Sequence, residues 1–287
     1  MVCLAGGALS LRVMVSQERC GAWAVDVPDV DCATPNAARI YDYDLGGEHN
    51  FAADRAAWEE IQRAVAPTGP FIARANRAFL QRAVRFCLDR GIDQFLDLGS
   101  GIPIVGDVHE IAQSRDPRAR VLYVDVEPVA VAHTRHLLES DDGEGIVHAD
   151  VRDPDAVLGA AETVRLLDFS RPVALLTVAV LHYITPQEQA GMHRYRDVLA
   201  PGSAVVISTL TADEREEEAA RVERFFAENA ATQVTFRTRD EVRALFDGTE
   251  LVPPGVVWTP QWRPDPADPH GWEPHRAGCW AGVGLVR

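Results

Sequence analysis

The chain has 287 residues, 47% hydrophobic and 25% charged, room for one large α/β domain with an appendage and an ordinary balance for a soluble globular protein. Its 43 acidic residues outnumber 28 basic ones for a formal charge of −15. That sign repels phosphate backbones, and with no basic patch to override it a nucleic-acid partner is disfavoured.

Five cysteines, at 3, 20, 32, 87 and 279, are odd in number, widely spaced and without a CxxC pair. Neither a disulfide framework nor a zinc site is indicated, no metal is expected, and a reducing cytoplasm is the expected compartment. The N-terminus MVCLAGGALSLRVMVSQERC has an apolar run, but Arg12 interrupts it and no basic segment precedes it. With no small-residue cleavage site following, residues 1–33 read as a loose extension rather than an export signal. No apolar run approaches the roughly 20 residues of a spanning helix, so no membrane partner is expected.

Thr34-Pro35 opens a short helical pattern, NAARIYDYDL, that stops at Gly46-Gly47. Asn50 is placed to cap a second helix, FAADRAAWEEIQRAV. A third follows PTGP, with Pro70 in its first turn and Gly91 just past its end. Its residues Ile72, Ala75, Phe79, Ala83 and Cys87 recur every three to four positions and form a face that must pack on something. Residues 34–93 therefore read as a helical cap.

From Gln94 the pattern changes. Strand-like runs occur at 95–99, 121–125, 146–150, 173–181, 204–210, 251–257 and 280–286, with helical segments near 105–115, 128–139, 153–160, 186–199 and 239–246 between the first six. Thr185/Glu188, Thr211/Glu214 and Thr238/Glu241 each fit a capping box. Alternation of this kind predicts a parallel sheet with helices on both faces. The seventh strand follows the sixth with no helix between, so a final antiparallel hairpin is expected. Two insertions stand out: an acidic helix over 211–230, and a loop over 259–276 with five prolines and two tryptophans. The tryptophans suit packing or ligand contact equally.

The run FLDLG ends in Asp97, and Gly99 and Gly101 follow at once. A glycine pair lets the chain turn sharply and approach a ligand closely, yet alone it is also an ordinary turn. The next two runs end in Asp125 and Asp150. In a parallel sheet ligands sit beyond the carboxyl ends of the strands, where Asp125 is suited to ribose hydroxyls and Asp150 to an adenine amino group. A dinucleotide site asks for GxGxxG, but the third glycine is absent, and Asp97 would repel a pyrophosphate. The ammonium and sulfonium of S-adenosylmethionine (SAM) would welcome it, so the charge favours SAM over NAD.

The segments YDYDLGGEHNFAADR (41–55), RANRAFLQRAV (74–84), QFLDLGSGIP (94–103), VHEIAQ (108–113), VLYVDVEPVAVAH (121–133), ADVRDP (149–154) and VAVLHYI (178–184) resemble the actinobacterial S-adenosyl methyltransferase family, formerly a domain of unknown function. The resemblance runs from about Ala33 to the C-terminus. It implies a three-layer, Rossmann-like class I methyltransferase fold over 94–287, with a seven-stranded, mostly parallel sheet, an antiparallel last strand and the helical cap before it. It implies that Asp97, Gly99, Ser100 and Gly101 hold the methionine part of SAM, that Asp125 and Val126 take the ribose, and that Asp150 and Val151 read adenine. An arginine of the cap, Arg77 or Arg74, would pair with the SAM carboxylate, and Tyr41 and Tyr43 would close over the cofactor or anchor the cap. Pro103 stands where most class I enzymes have a third glycine, a departure this family tolerates.

Methyl transfer is an in-line displacement that needs alignment more than a nucleophilic triad, and no triad is evident. His182, with Tyr183 beside it after the fourth strand, is the candidate general base, a structural histidine hydrogen-bonded to backbone being the alternative. The expected function is methylation of a small-molecule acceptor. A SAM-binding sensor or scaffold is the alternative, and the sequence does not speak to oligomeric state.

Overall fold

The computed structural model describes residues 30–65, 69–104, 106–138, 143–230, 232–266, 268 and 273–287. The expected extension over 1–33 lies mostly outside them, as does Trp272. The described helices are α1 (Ala37–Asp44), α2 (Ala52–Val65), α3 (Gly69–Asp89), α4 (Val108–Arg115), α5 (Pro128–Leu137), α6 (Pro154–Leu158), α7 (Ala161–Leu166), α8 (Pro186–Gln189), α9 (His193–Asp197), α10 (Glu216–Asn229) and α11 (Arg239–Ala244). The strands are β1 (Gln94–Leu98), β2 (Arg120–Asp125), β3 (Glu144–His148), β4 (Ala174–Val178), β5 (Ala204–Leu210), β6 (Thr249–Leu251), β7 (Val257–Trp258) and β8 (Cys279–Val286).

The strands form one sheet in the order β3-β2-β1-β4-β5-β8-β6, with β7 also paired to β8. β1 to β5 are parallel, and β8 runs antiparallel between β5 and β6. The mostly parallel sheet with an antiparallel last strand is thus as expected. The run expected as one strand over 251–257 is two, because Pro253-Pro254 offers no ladder donor and splits it into β6 and β7.

Alternation along each strand sends neighbours to opposite faces. Phe95, Val121, Tyr123, Leu176 and Val206 pack on one side against Phe79, Leu80 and Ala83 of α3 and Val108 of α4. Leu96, Leu98, Leu122, Val124 and Ile207 face the other, against Val157 of α6, Leu166 of α7, Tyr195 of α9 and Val242 of α11. That makes three layers. On α3 the expected face is real: Ala75, Phe79, Ala83 and Cys87 are buried and Ile72 is half-buried. α3 shares the sheet's core, whereas α1 and α2 pack with α10 through Ile40, Ala57, Ile61, Val222, Phe225 and Phe226. The roof is the work of α1, α2 and α10.

Local expectations divide. Thr185/Glu188 and Thr238/Glu241 form complete capping boxes. Thr211/Glu214 does not: the Thr211 hydroxyl accepts from the N–H of Asp213, Glu214 sits at φ +65°, and α10 begins at Glu216. Asn50 does not cap α2 either. Its amide donates to Asp42 and to the Gly47 carbonyl, and the Phe51 N–H donates to Asp54 at the helix start. Gly47 is needed there because a Cβ would lie 2.0 Å from the Asp42 carboxylate. Trp262 is fully buried, edge-on to Phe79 at 5.4 Å and Phe86 at 5.6 Å, so its role is packing.

Cys87 and Cys279 are free and buried. Cys32, however, is disulfide-bonded. Spacing along the chain concealed that bond because it does not say which thiols meet in space. Among the described residues no helix is long and apolar enough to cross a membrane, and no group of three His, Cys, Asp or Glu is placed to hold a metal ion.

Candidate active site

From β1 the chain builds β2 and β3 to one side, then crosses to β4 and β5 on the other. The connections diverge at that reversal and leave a crevice beyond the carboxyl ends of the strands. It opens into a cavity of about 540 Å³, a size suited to a nucleoside-type ligand. Asp97 near the end of β1, Asp125 at the end of β2 and Asp150 just beyond β3 all line it. Gly99, Ser100, Gly101, Val126, Val151 and Arg77 line it too. Arg74 does not; it is exposed on α3.

The turn after β1 is tight. The N–H groups of Gly99 and Ser100 both donate to the Val124 carbonyl, at 2.8 and 3.1 Å, and Gly99 and Gly101 both adopt φ +69°. A Cβ on Gly99 would lie 2.6 Å from Cγ2 of Val180, whereas one on Gly101 would enter open space. Gly99 therefore serves the packing of the turn, and Gly101 keeps the cavity clear.

The three acids sit in different electrostatic settings. Asp125 accepts the Gly101 N–H at 2.7 Å on one oxygen and the Glu127 N–H at 2.8 Å on the other, with a further backbone hydrogen bond from Val126. Asp97 has no hydrogen bond among the described residues. Burial first, then the neighbouring Asp107, pushes its carboxyl up to about 7, against the pull of Arg77. Asp150 is held below the ordinary carboxylate range by hydrogen bonds from the Arg152 guanidinium, which also reaches Glu188 at 2.7 Å. Any adenine contact through Asp150 thus shares its carboxylate with Arg152.

Arg77 donates to Asp107 at 2.7 Å and to the Gly106 carbonyl at 3.0 Å, while its Nε is buried without a partner. The Ser100 hydroxyl is buried and unpaired as well. Buried polar groups are normally satisfied. Asp97, Ser100 and Arg77 line one cavity, and an acid, a hydroxyl and a guanidinium together fit a ligand carrying an ammonium and a carboxylate, as the amino-acid end of SAM does.

A strut beneath the cavity escaped the sequence reading. Arg39 of α1 is buried and donates to Asp54 at 2.9 Å, to Glu127 at 2.9 Å and to the carbonyls of Asp31 and Thr34. It ties the roof to Glu127, two residues past the end of β2. Glu127 itself lines the cavity. An arginine on a short amphipathic helix ordinarily reads as exposed, and Glu127 lies 88 residues away.

A second cavity of about 120 Å³ adjoins the first. Ala37, Tyr41, Asn76, Ala179 and Tyr183 border both. The rest of its wall is mainly apolar, with Ile40, Trp58, Ile61, Val222, Phe226 and Phe236 prominent. Where the cavities meet, Ala179 takes φ +61°, unusual for a residue with a Cβ, and its N–H donates to the Ser208 carbonyl and hydroxyl, both at 3.1 Å. Strained backbone held by its surroundings is a common mark of a working site. Asn76 accepts from the Ser208 hydroxyl and donates to the Tyr41 hydroxyl at 3.2 Å.

His182 borders only the second cavity. Burial, then the Arg237 guanidinium, drops its pKa to about 3. Its Nδ1 lies 3.5 Å from the Leu210 N–H, which leaves the proton on Nε2 in the neutral ring. Such a ring holds a second proton poorly. Tyr183 is raised by burial and stays a phenol.

A profile of the family described as S-adenosyl methyltransferase matches residues 24–287. The crystal structure of a putative methyltransferase from Thermobifida fusca YX is 41% identical, covers 91% of this chain and 98% of its own, and superimposes with a TM-score of 0.84. A DUF574 family protein from Streptomyces avermitilis MA-4680 is 36% identical, with coverages of 90% and 99% and a TM-score of 0.85. The plantazolicin methyltransferase BamL, solved with S-adenosylhomocysteine (SAH), is 10% identical over 87% of this chain and 96% of its own at a TM-score of 0.50, a likeness of fold alone. No curated protein matches. With the family profile spanning nearly the whole chain and the fold agreeing, the chain belongs to the S-adenosyl methyltransferase family and is a SAM-dependent methyltransferase of the class I fold.

Proposed function

We propose that the chain methylates a small, largely apolar acceptor held in the second cavity, using SAM held in the first. The observation that carries this reading is the shared wall: a polar, acid-lined cavity and an apolar one meet at Ala37, Tyr41, Asn76, Ala179 and Tyr183. A SAM sensor without transferase activity gives the second cavity no role. When bound, SAM supplies a methyl on a sulfonium, open to in-line displacement by an acceptor lone pair.

The residues of the chain then divide the work. Asp97 would take the ammonium, and Ser100 and Arg77 would hold the carboxylate. Gly101 leaves room for the ligand, and Asp125 with Val126 takes the ribose. Asp150 and Val151 lie at the adenine end. Tyr41 and Tyr183 aim the acceptor at the junction and exclude water with the roof helices. His182, neutral and carrying its proton on Nε2, orients the acceptor's nucleophilic atom rather than removing a proton from it.

Calorimetric titration with SAM, SAH and NAD tests the first half: SAM and SAH should bind and NAD should not. Incubating the protein with isotopically labelled methyl donor and fractionated metabolite extracts tests the second half. Label should appear in a small molecule, and a protein that binds SAM yet labels nothing across diverse extracts would defeat the transferase reading.

A further inference from the structure

Among the ionisable groups on the second cavity, one has a buried oxygen without a hydrogen-bond partner. Asp44 closes α1, one helical turn beyond Tyr41, and lines the apolar cavity but not the cofactor cavity. Its Oδ1 is buried with no hydrogen-bond partner, and no other described residue hydrogen-bonds its carboxyl. The walls around it are aromatic and aliphatic, among them Ile40, Trp58, Ile61 and Phe226. Burial raises the carboxyl to about 7, opposed by the charge of Arg74 on α3. The other polar groups on this cavity are occupied or neutral: Arg215 pairs with Glu218 on α10, Tyr41 bonds the Ala73 carbonyl and Asn76, and His182 and Tyr183 are uncharged.

A half-buried acid whose Oδ1 is buried and orphaned destabilises the fold, so its place in a mainly apolar acceptor cavity calls for a partner supplied from outside. We propose that Asp44 anchors the methyl acceptor by a cationic or hydrogen-bond-donating group at the end remote from the methylated atom. This rests on the two-cavity reading and sharpens it to a substrate class. The acceptor is a compact aromatic or aliphatic molecule with a nucleophile at one end and an amine, or another N–H or O–H donor, at the other. The geometry separates the two ends: the wall shared with the cofactor cavity begins at Tyr41, and Asp44 lies a turn further from it. The five aromatic rings on the wall, Tyr41, Trp58, Tyr183, Phe226 and Phe236, favour a planar ring between those ends and tolerate a cation beside it. A formal charge of −15 draws cations toward the molecule.

The test uses three phenols of one shape but different tails: tyramine, 4-ethylphenol and 3-(4-hydroxyphenyl)propionate. Each is titrated calorimetrically into the full-length protein saturated with SAH, as wild type, Asp44→Asn and Asp44→Leu. In the wild type tyramine should bind at least about tenfold tighter than 4-ethylphenol, with the propionate weakest. Both variants should bring tyramine to the level of 4-ethylphenol while SAH binds as before. Their melting temperatures should equal or exceed the wild type's, since the orphaned acid is gone, which separates lost recognition from lost folding. Tyramine binding no tighter than 4-ethylphenol, or a preference that survives in Asp44→Leu, overturns the proposal. SAH is titrated first: if it fails to bind, the methyltransferase reading falls and takes this inference with it. If SAH binds but the probe ranking ignores Asp44, only the inference falls.

Discussion

The cavity at the strand tips is lined by acids on backbone whose course the sheet dictates, whereas the cavity beside it is lined by side chains of α1, α2 and α10, which pack on one another above the sheet. The first presents charge in fixed positions: the parallel register of β1 and β2 places Asp97 and Asp125, and Arg152 holds Asp150 just beyond β3. The second presents shape, and its shape depends on how three helices settle. A common cofactor needs the fixed kind of site. A particular acceptor is better met by the adjustable kind, because a roof helix can change its side chains without disturbing the sheet.

The largest effect should come from removing what joins the two regions. Arg39→Ala leaves Asp54 and Glu127 as uncompensated buried charges, and breaking a buried pair of this sort costs about 3–5 kcal/mol. Denaturant unfolding should show that loss, and both cavities should fail together. A wild-type midpoint would mean the strut is not what holds the roof to the β2 edge.

Asp97→Asn should strike one region only. SAH affinity is expected to fall about 100-fold, roughly 3 kcal/mol, the upper range for a hydrogen bond to a charged group, while the tyramine-type probes keep their ranking. The same residue sets a pH dependence. Its folded carboxyl lies at about 7 against an ordinary 3.8, so between those values the folded chain holds a proton the unfolded chain has lost. Stability therefore falls as pH rises through that window and levels off above it. Asp44, also raised to about 7, adds to the same slope. Thermal melts from pH 4 to 8 should show the decline, shallower in Asp97→Asn and Asp44→Asn. SAM affinity should move the opposite way, tightening up to about pH 7 as Asp97 ionises, and that trend should vanish in Asp97→Asn.

The glycine pair offers a finer cut. Gly99→Ala forces a Cβ onto Val180 at positive φ and should cost about 1–3 kcal/mol of stability. Gly101→Ala meets no protein atom, so only the roughly 1 kcal/mol of left-handed backbone strain is lost and the larger effect should be on SAH affinity. Equal behaviour of the two in melting and titration would erase the distinction drawn between them. Smallest of all, Ile61→Val removes one methylene from the roof and should cost about 1 kcal/mol. It should leave SAH binding alone and alter only which acceptor-like probes fit.

How legible these regions were in the sequence follows the same division. The mostly parallel sheet with helices on both faces could be anticipated because alternating β and α patterns predict it, and the acids could be placed because each ends an apolar run. The Pro253-Pro254 break could have been read directly, since proline gives no ladder donor. Thr211 and Asn50 misled because a capping residue type does not fix where the helix starts; Asp213 and Asp42 captured those side chains first. Asp44 passed unnoticed within YDYDLGG because an acid at a helix end reads as solvated. Arg39 passed for a similar reason, its partners coming from another helix and from just past the end of β2.

Local order, strand by strand, was determined by the sequence alone: the period of its apolar residues, the carboxylates closing three of the runs, and glycines that only a sharp turn explains. Which charges would be buried and which would find partners was decided by tertiary structure, because burial and pairing depend on groups brought together from distant parts of the chain. The shift of Asp97 and Asp44 toward neutrality, the burial of Arg39 and the apolar chamber under α1, α2 and α10 all arise at that level. Desolvation is a property of a place, and a place exists only once the chain has folded around it.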